Sequence, residues 1–121
     1  MPPDLTRLVI YTHQTDAMVA FYSRHFGYAA QTDPADRIVE LIPPGAGAIL
    51  MLHLAANGQK AGQAPVKLVF DVLDVADFVA KAAASGLDFG PVHQADGYAF
   101  ANAKDPAGNS VSVSSRGYRH T

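Results

Sequence analysis

Arg7-Leu8-Val9-Ile10, near the start of the chain, is matched by Lys67-Leu68-Val69-Phe70 after its midpoint. The offset is 60 residues, since 67 minus 7 is 60. The same offset relates Met18-Val19-Ala20 to Phe78-Val79-Ala80. A strand-like segment and the apolar triplet after it therefore recur together, which indicates a duplicated half-domain. Two copies related by a pseudo-twofold axis place equivalent positions around one shared cleft, so these positions are interpreted as a set.

Length and composition limit the class of protein. The 121 residues suit one domain, residues 1–121, that buries roughly two-thirds of its unfolded surface. Apolar residues make up 49% and charged residues 17%, and no stretch approaches the roughly 18 apolar residues of a membrane span. A net charge of −2 without a basic run argues against nucleic acid as a partner. Because there is no cysteine and no export signal at the start, we expect a cytoplasmic protein without disulfides.

The first half of the chain predicts a β-α-β-β-β module over about residues 5–55. Residues 7–12 are rich in β-branched and aromatic side chains, as a strand is. Thr15 or Asp16 can accept the free amides of a helix that begins there, and Gly27 can take the left-handed conformation that ends it. Three further strands are predicted around residues 28–32, 37–42 and 48–54.

The second half repeats this pattern over about residues 66–115. Residues 56–65 are small, polar and without periodicity, so they are predicted to be the linker between the modules. A strand at 66–72 leads to a helix that Asp74 caps and Gly86 ends. Three strands complete the module, the last two around residues 98–103 and 110–114.

Three short motifs carry a family resemblance. They are the Phe21-Tyr22 pair, the Phe26-Gly27 pair, and the turn Asp105-Pro106-Ala107-Gly108-Asn109, in which Pro and Gly favour a tight hairpin. With two β-α-β-β-β modules, the chain resembles the vicinal-oxygen-chelate superfamily of glyoxalase I, bleomycin-resistance proteins, extradiol dioxygenases and fosfomycin-resistance enzymes. The resemblance implies an α+β fold in which two four-stranded sheets pair into an eight-stranded open cup, with the binding site on its concave face.

The resemblance also implies where a metal would bind. In metal-dependent members the ligands are His, Gln or Glu on the first and last strands of each module. The corresponding positions in this chain are Arg7, Met51, Lys67 and Ser112. Arginine keeps its proton, an ammonium group has no lone pair, a thioether is soft, and a single hydroxyl is a weak anchor. We therefore expect no divalent metal and no other cofactor.

Alternation with a period of two assigns the faces of the strands. In the last strand, valines alternate with serines, so the valines are expected to pack under the helices while the serines face the cup or solvent. The same rule predicts the lining of the cup: Arg7, Val9, Tyr11, Ile49, Met51, His53, Lys67, Val69, Asp71, Ser110 and Ser112. Such a mixture of charges, hydroxyls and adaptable apolar groups suits an organic small molecule.

The two cations of this lining have two open interpretations. Arg7 and Lys67 can bind an anionic ligand such as a carboxylate or phosphate. Alternatively, each forms an ion pair with Asp71, with Glu40 or with a partner subunit, which avoids burying an unpaired charge. Lys67 is also a conceivable base or nucleophile, but no second group is evident to assist it.

Histidines and late aromatic residues are further candidates. His53 is directed into the predicted cup, where with Glu40 or Tyr11 it can perform acid–base chemistry, although a solvated histidine at a strand end is the alternative. Tyr98 and Phe100 can stack on a planar ligand or belong to the core. The other histidines match no metal motif, and most of them are expected at the surface: His13, His25, His93 and His120.

Three functions are consistent with these features. The favoured one is a metal-independent protein that binds and sequesters a small molecule, such as an antibiotic or an acidic metabolite. The second is a lyase, isomerase or dioxygenase, either metal-dependent or built without metal on His53, Tyr11 and Lys67, so whether the protein is an enzyme stays open. The third is a dimerisation module with a vestigial cup. A homodimer is implied by the resemblance.

Overall fold

The chain divides between Ala61 and Gly62 into two compact units, and the computed structural model describes residues 2–119 of it. His120 lies outside these residues. The first unit contains β1 (Arg7–Thr12), α1 (Thr15–Phe26), β2 (Ala29–Gln31), β3 (Val39–Ile42) and β4 (Ile49–Leu54). The second contains β5 (Lys67–Asp71), α2 (Val75–Ala84), β6 (His93–Gln94), β7 (Ala99–Lys104), β8 (Ser110–Ser114) and a 3-10 helix at Arg116–Tyr118. Neither α-helix of this part is long and apolar enough to cross a membrane.

The two sheets share one topology. Their strand orders are β1-β4-β3-β2 and β5-β8-β7-β6. The first strand of each module pairs in parallel with the last, β1 with β4 and β5 with β8. The other neighbouring strands are antiparallel. Arg7 lies opposite Ile49, and Lys67 lies opposite Ser110. The offset is thus 60 residues in the first strands and 61 in the last, since 110 minus 49 is 61. The predicted α+β fold of two β-α-β-β-β modules is confirmed.

In the first unit, α1 covers one face of the sheet. Met18 and Tyr22 of the helix are fully buried, and so is Leu41 of β3. On β4, Leu50 and Leu52 are 2% and 1% exposed. These residues alternate with more exposed ones along their strands, so the apolar set of one face forms the core against the helix.

The beginning of α1 corrects one prediction. The helix begins at Thr15 as expected, but neither Thr15 nor Asp16 caps it, because the N-cap residue is Gln14 and no side chain bonds the free amides there. Instead, the buried Thr12 at the end of β1 accepts a hydrogen bond from the Gln14 amide at 2.9 Å. Gly27 ends the helix with φ +72°, as predicted.

In the second unit, α2 has the predicted cap. The Asp74 side chain accepts a hydrogen bond from the Asp77 amide at 3.0 Å. The helix ends at Ala84, and Gly86 follows with φ +95°. Apolar residues of β7, β8 and α2 form the core of this unit: Ala101, Val111, Val113, Val75 and Ala82.

Gly62 lies against the turn between β7 and β8. Its φ is +71°, and a Cβ there would be 2.7 Å from the carbonyl oxygen of Ala107 and 2.8 Å from the carbonyl carbon of Gly108. These are backbone atoms, so they cannot move without distorting the turn. Gly58 has a similar φ of +81°, but nothing lies within 4 Å of the position of its Cβ.

We expect Gly62→Ala to lower the free energy of unfolding by about 2 kcal/mol, because it combines a left-handed backbone with overpacking against the turn. Gly58→Ala should cost only about 1 kcal/mol, since it has the backbone penalty alone. Urea unfolding of both variants measures the difference. Equal losses would show that the turn accommodates the added methyl group at no cost.

Candidate functional site

The first open face is the side of the first sheet that faces away from α1. Because cross-strand partners point to the same side, the register assigns its members. They include Arg7, Val9, Tyr11, Glu40, Ile49, Met51 and His53. Val9 and Tyr11 are each 48% exposed, whereas Leu50 and Leu52 on the other side are buried. The alternation predicted for β1 and β4 is therefore observed, while ligand binding by these residues stays a prediction.

On this face Arg7 forms an ion pair with Glu40. Its Nε is 3.3 Å from Glu40 Oε1, and the two side chains are 52% and 30% exposed. Such a solvated pair contributes at most about 1 kcal/mol to stability. The pair matters mainly because the Glu40 carboxylate compensates the positive charge of the Arg7 guanidinium. Of the two interpretations of Arg7, the structure shows the internal ion pair.

Tyr11 and His53 lie side by side on the same face. They are register partners, and their ring centroids are 5.2 Å apart. His53 Nδ1 lies 2.9 Å from the Leu54 carbonyl oxygen. Because a carbonyl only accepts, Nδ1 must donate, which leaves Nε2 of the neutral ring as an acceptor. Glu40, the other predicted partner of His53, is bonded to Arg7 instead.

The second open face is the corresponding side of the second sheet. The register assigns to it Lys67, Val69, Asp71, His93, Phe100, Asn102, Lys104, Ser110, Ser112 and Ser114. Val69 is 55% exposed, whereas Ser112 and Ser114 are 2% and 5% exposed. These serines lie on the open side, as the alternation predicted, but they are buried rather than solvated, because a short hydroxymethyl group lies between longer neighbours on the adjacent strands. Ser112 Oγ donates to the Ala101 carbonyl at 3.0 Å, so its hydroxyl is already engaged.

Lys67 is bonded to a neutral group, whereas Arg7 is bonded to a carboxylate. Lys67 Nζ donates to Asn102 Oδ1 at 2.8 Å. Asn102 lies opposite Ser112 as Glu40 lies opposite Met51, so a neutral amide occupies the position of the carboxylate in the other unit. No carboxylate of the described part of the chain therefore compensates the positive charge of Lys67. Asn102 is missing from the predicted lining, since only the strand register shows that the lysine reaches it.

Asp71 is the other carboxylate considered for the cations. It lies opposite Ser114, at the end of β8 away from Lys67. A Cβ on Gly117 would be 3.2 Å from Asp71 Oδ2, so the carboxylate lies against the backbone of the 3-10 helix. Within residues 2–119 neither cation forms an ion pair with Asp71.

Tyr98 and Phe100 belong to a cluster of rings and cations. Arg116 Nη1 donates to the Tyr98 hydroxyl at 3.1 Å, and the guanidinium groups of Arg116 and Arg119 lie 5.1 and 5.4 Å from the Tyr98 ring centroid. The ring of Phe100 is 5.0 Å from that of His93. Both residues are half-buried, so they are partly accessible rather than wholly core. A flat ligand can contact such rings.

Shifted pKa values occur outside the open faces, at His25, Tyr28 and Lys81. Burial, with a smaller contribution from Arg24, lowers the pKa of His25. Burial raises the pKa of Tyr28, whose hydroxyl donates to the Ala48 carbonyl at 3.1 Å. The hydrogen bond with Asp77 raises the pKa of Lys81 on the surface of α2. We assign these groups to packing and to the helix surface.

The side chains at the four expected metal positions do not fit a divalent ion. Arg7 is bonded to Glu40, Lys67 donates to an amide oxygen, Ser112 donates to a backbone carbonyl, and Met51 offers only a thioether. These groups are cationic, engaged or soft, whereas Zn, Ni, Mn and Mg prefer imidazole or oxygen ligands. In residues 2–119 no three His, Asp or Glu side chains are grouped so that they could hold a metal ion.

The model of the Glyoxalase/Bleomycin resistance protein/Dioxygenase superfamily matches residues 4–113. This match covers most of the chain, so the protein belongs to that superfamily. No curated protein sequence matches the chain significantly.

Several solved structures share the fold. TnmS3, an antibiotic binding protein from Streptomyces sp. CB03234, has 18% identity and a TM-score of 0.75 over 93% of this chain and 94% of its own. A lactoylglutathione lyase from Agrobacterium tumefaciens has 22% identity and a TM-score of 0.69 over 93% of each chain. A virulence protein from Salmonella typhimurium has 21% identity and a TM-score of 0.73 over 94% of this chain and 97% of its own. At these identities the similarity shows the fold alone.

Proposed function

We propose that this protein binds a small organic molecule, such as an antibiotic or an acidic metabolite, on the open faces of its sheets and without a metal. The observation that carries the proposal is the chemistry at the four expected metal positions. Arg7, Lys67 and Ser112 are each bonded within the protein, and Met51 is too soft for the metals that the fold usually holds. The open faces keep exposed apolar surface at Val9 and Tyr11 beside polar groups, which suits an organic ligand.

Two of the structural relatives represent the competing functions. TnmS3 is described as an antibiotic binding protein, and the Agrobacterium protein is described as a lactoylglutathione lyase. Their folds match this chain almost equally well, so the fold does not choose between binding and catalysis. The side chains at the four expected metal positions favour binding, because an ammonium, an ion-paired guanidinium, a thioether and an engaged hydroxyl are poor metal ligands.

Protein stripped of metal with a chelator is expected to bind compounds from a panel of neutral and anionic aromatic molecules with saturable isotherms. Adding Zn, Ni, Mn or Fe(II) should leave the affinities unchanged, because residues 2–119 offer the ion no ligand set. Isothermal titration calorimetry measures binding, and plasma mass spectrometry on dialysed protein measures the metal content. One tightly held metal per chain, or no saturable binding by the stripped protein, would contradict the proposal.

A metal-free enzyme is the competing hypothesis, and the Tyr11–His53 pair is the observation that favours it. The two rings have centroids 5.2 Å apart, and the Nδ1 atom of His53 is held by a backbone carbonyl, so Nε2 of the neutral ring is the atom that would act as a base. Under this hypothesis His53→Ala abolishes turnover, whereas His13→Ala, which removes an exposed histidine of the same unit, does not. Equal turnover in the two variants would eliminate it.

The homodimer and the cytoplasmic location expected from the sequence stay predictions. Light scattering at several protein concentrations tests the first, because an obligate dimer keeps twice the mass of the chain on dilution.

A further inference from the structure

Two lysines of the second open face lie in one row across three strands. Lys67 of β5 and Lys104 of β7 are both opposite Ser110 of β8, which lies between them. Lys104 Nζ donates to Ser110 Oγ at 2.9 Å, and Lys67 Nζ donates to Asn102 Oδ1 at 2.8 Å. Neutral oxygen atoms thus hold both ammonium groups on the same side of the sheet.

Neither ammonium group has a carboxylate partner within residues 2–119, where the side-chain ion pairs are Arg7–Glu40 and Lys81–Asp77. Asp71 on the same face is opposite Ser114, four residues along β8 and therefore about 13 Å from the row. Asp105 follows Lys104 in the chain, but its carboxylate accepts hydrogen bonds from the backbone of the turn. Two like charges, on strands either side of β8, therefore have no carboxylate partner in the described residues.

The first unit shows that the fold does not require this arrangement. There the equivalent of Lys67 is Arg7, which Glu40 neutralises. Ile49 replaces Ser110 opposite the cation. Ile42 is two residues beyond Glu40 on β3, as Lys104 is two residues beyond Asn102 on β7. The row in the first unit thus has one ion-paired arginine and two isoleucines. The row in the second unit has a hydroxyl and two lysines that have no carboxylate partner in residues 2–119.

We propose that Lys67, Lys104 and Ser110 bind the oxyanion of the ligand, a carboxylate or a phosphate. The proposal rests on the proposed function and names the chemical class of the molecule that is bound. Ammonium and hydroxyl groups donate to the oxygens of such an anion with charge-assisted strength. Asn102 is an acceptor toward Lys67, so it orients the ammonium without neutralising it.

The surroundings of the row suit an organic anion better than a bare ion. Val69, two residues beyond Lys67 on the same face, is 55% exposed. The Phe100 ring centroid lies 5.7 Å from Lys67 Nζ. An apolar or aromatic body can therefore contact Val69 and Phe100 while its oxyanion reaches the lysines.

The test is an NMR titration of isotope-labelled protein with benzoate, inorganic phosphate and neutral benzamide at constant ionic strength. Benzoate or phosphate should shift the amide signals of Lys104 and Ser110 along a saturable curve, whereas benzamide should not. A higher affinity for benzoate than for phosphate indicates that the natural ligand is a carboxylate. A higher affinity for phosphate indicates a phosphorylated ligand. Saturation by benzamide with the affinity of benzoate would overturn the site, because charge would then be irrelevant.

Two double variants test whether the lysines of the row, rather than the net charge of the protein, bind the anion. Lys67→Gln combined with Lys104→Gln should weaken anion binding about tenfold or more, because two charge-assisted hydrogen bonds are lost. Lys60→Gln combined with Lys81→Gln removes the same charge elsewhere and should leave the affinity unchanged. The replaced side chains are exposed, so the thermal midpoints should be unchanged and loss of binding should not reflect unfolding. Equal weakening in the two double variants, or none in the first, would overturn the site.

The outcomes also distinguish this site from the proposed function. If neutral compounds bind saturably and the Lys67/Lys104 variant keeps every affinity, the small-molecule function stands and the oxyanion site is refuted. If the stripped protein binds no organic compound but phosphate shifts Ser110 in a lysine-dependent way, the site stands and the proposed function is refuted.

Discussion

Leu52→Ala is expected to lower the free energy of unfolding by about 3 kcal/mol. Leu52 is 1% exposed and belongs to the apolar side of the first sheet. Its register partners are Ile10 on β1 and Val39 on β3, so its strand is hydrogen-bonded on both sides. Strands held in this way cannot close the cavity that the substitution leaves, and the loss therefore includes a cavity term as well as the lost burial. Urea unfolding followed by circular dichroism measures it.

Leu54→Ala is the matched control. Leu54 is in the same strand and has the same alternation phase, but it is 64% exposed. Its truncation removes the same atoms from a site that water already reaches, so the expected loss is within about 0.5 kcal/mol. Similar losses in the two variants would mean that β4 does not bury Leu52 as the structure shows.

Asp105→Ala is expected to destabilise the protein by about 3 kcal/mol, through the turn between β7 and β8. The Asp105 residue is 4% exposed, and its Oδ1 accepts hydrogen bonds from the amides of Ala107 and Asn109, each at 2.9 Å. The Asn109 side chain donates to Oδ2 at 2.9 Å as well. Alanine leaves these donors without their carboxylate in a largely buried turn, and hydrogen bonds to charged groups are the costlier ones to lose.

Asp33→Ala provides the comparison, because Asp33 makes the same local contact in an exposed loop. Its Oδ1 accepts from the Ala35 amide at 3.0 Å, and water can replace it there. The expected loss is below about 1 kcal/mol. Asp105→Asn should lie between the two, since it retains an acceptor without the charge. A loss in Asp105→Ala no larger than that in Asp33→Ala would show that the carboxylate does not hold the turn.

Much of the fold was predictable because the two halves repeat one pattern. The strand at residues 7–12 and the final strand at 110–114 agree with the observed β1 and β8. Gly27 and Asp74 were predictable because each meets a local backbone requirement, a left-handed turn or a free amide. The start of α1 was not, because Thr12, which bonds the Gln14 amide just before the helix, depends on where β1 ends rather than on the helix sequence.

The candidate site was less predictable than the fold. Alternation identified the side of the sheet on which Arg7 and Lys67 lie, since the period of a strand is a local property. Their acceptors, Glu40 and Asn102, lie 33 and 35 residues away in sequence. Glu40 was one of several open alternatives, and Asn102 and Lys104 were not considered, because only register brings a third strand within reach of the cation.

The sequence by itself determined the duplicated α+β modules, the side of each strand and, at the metal positions that the family resemblance implies, side chains that are poor ligands: Arg7, Met51, Lys67 and Ser112. These conclusions depend on residue type and short-range periodicity, which are encoded locally. Only the tertiary structure decided which charges are compensated. Arg7 meets a carboxylate, whereas Lys67 meets an amide and shares a row with Lys104. Such pairings are set by strand register, which local sequence patterns do not specify.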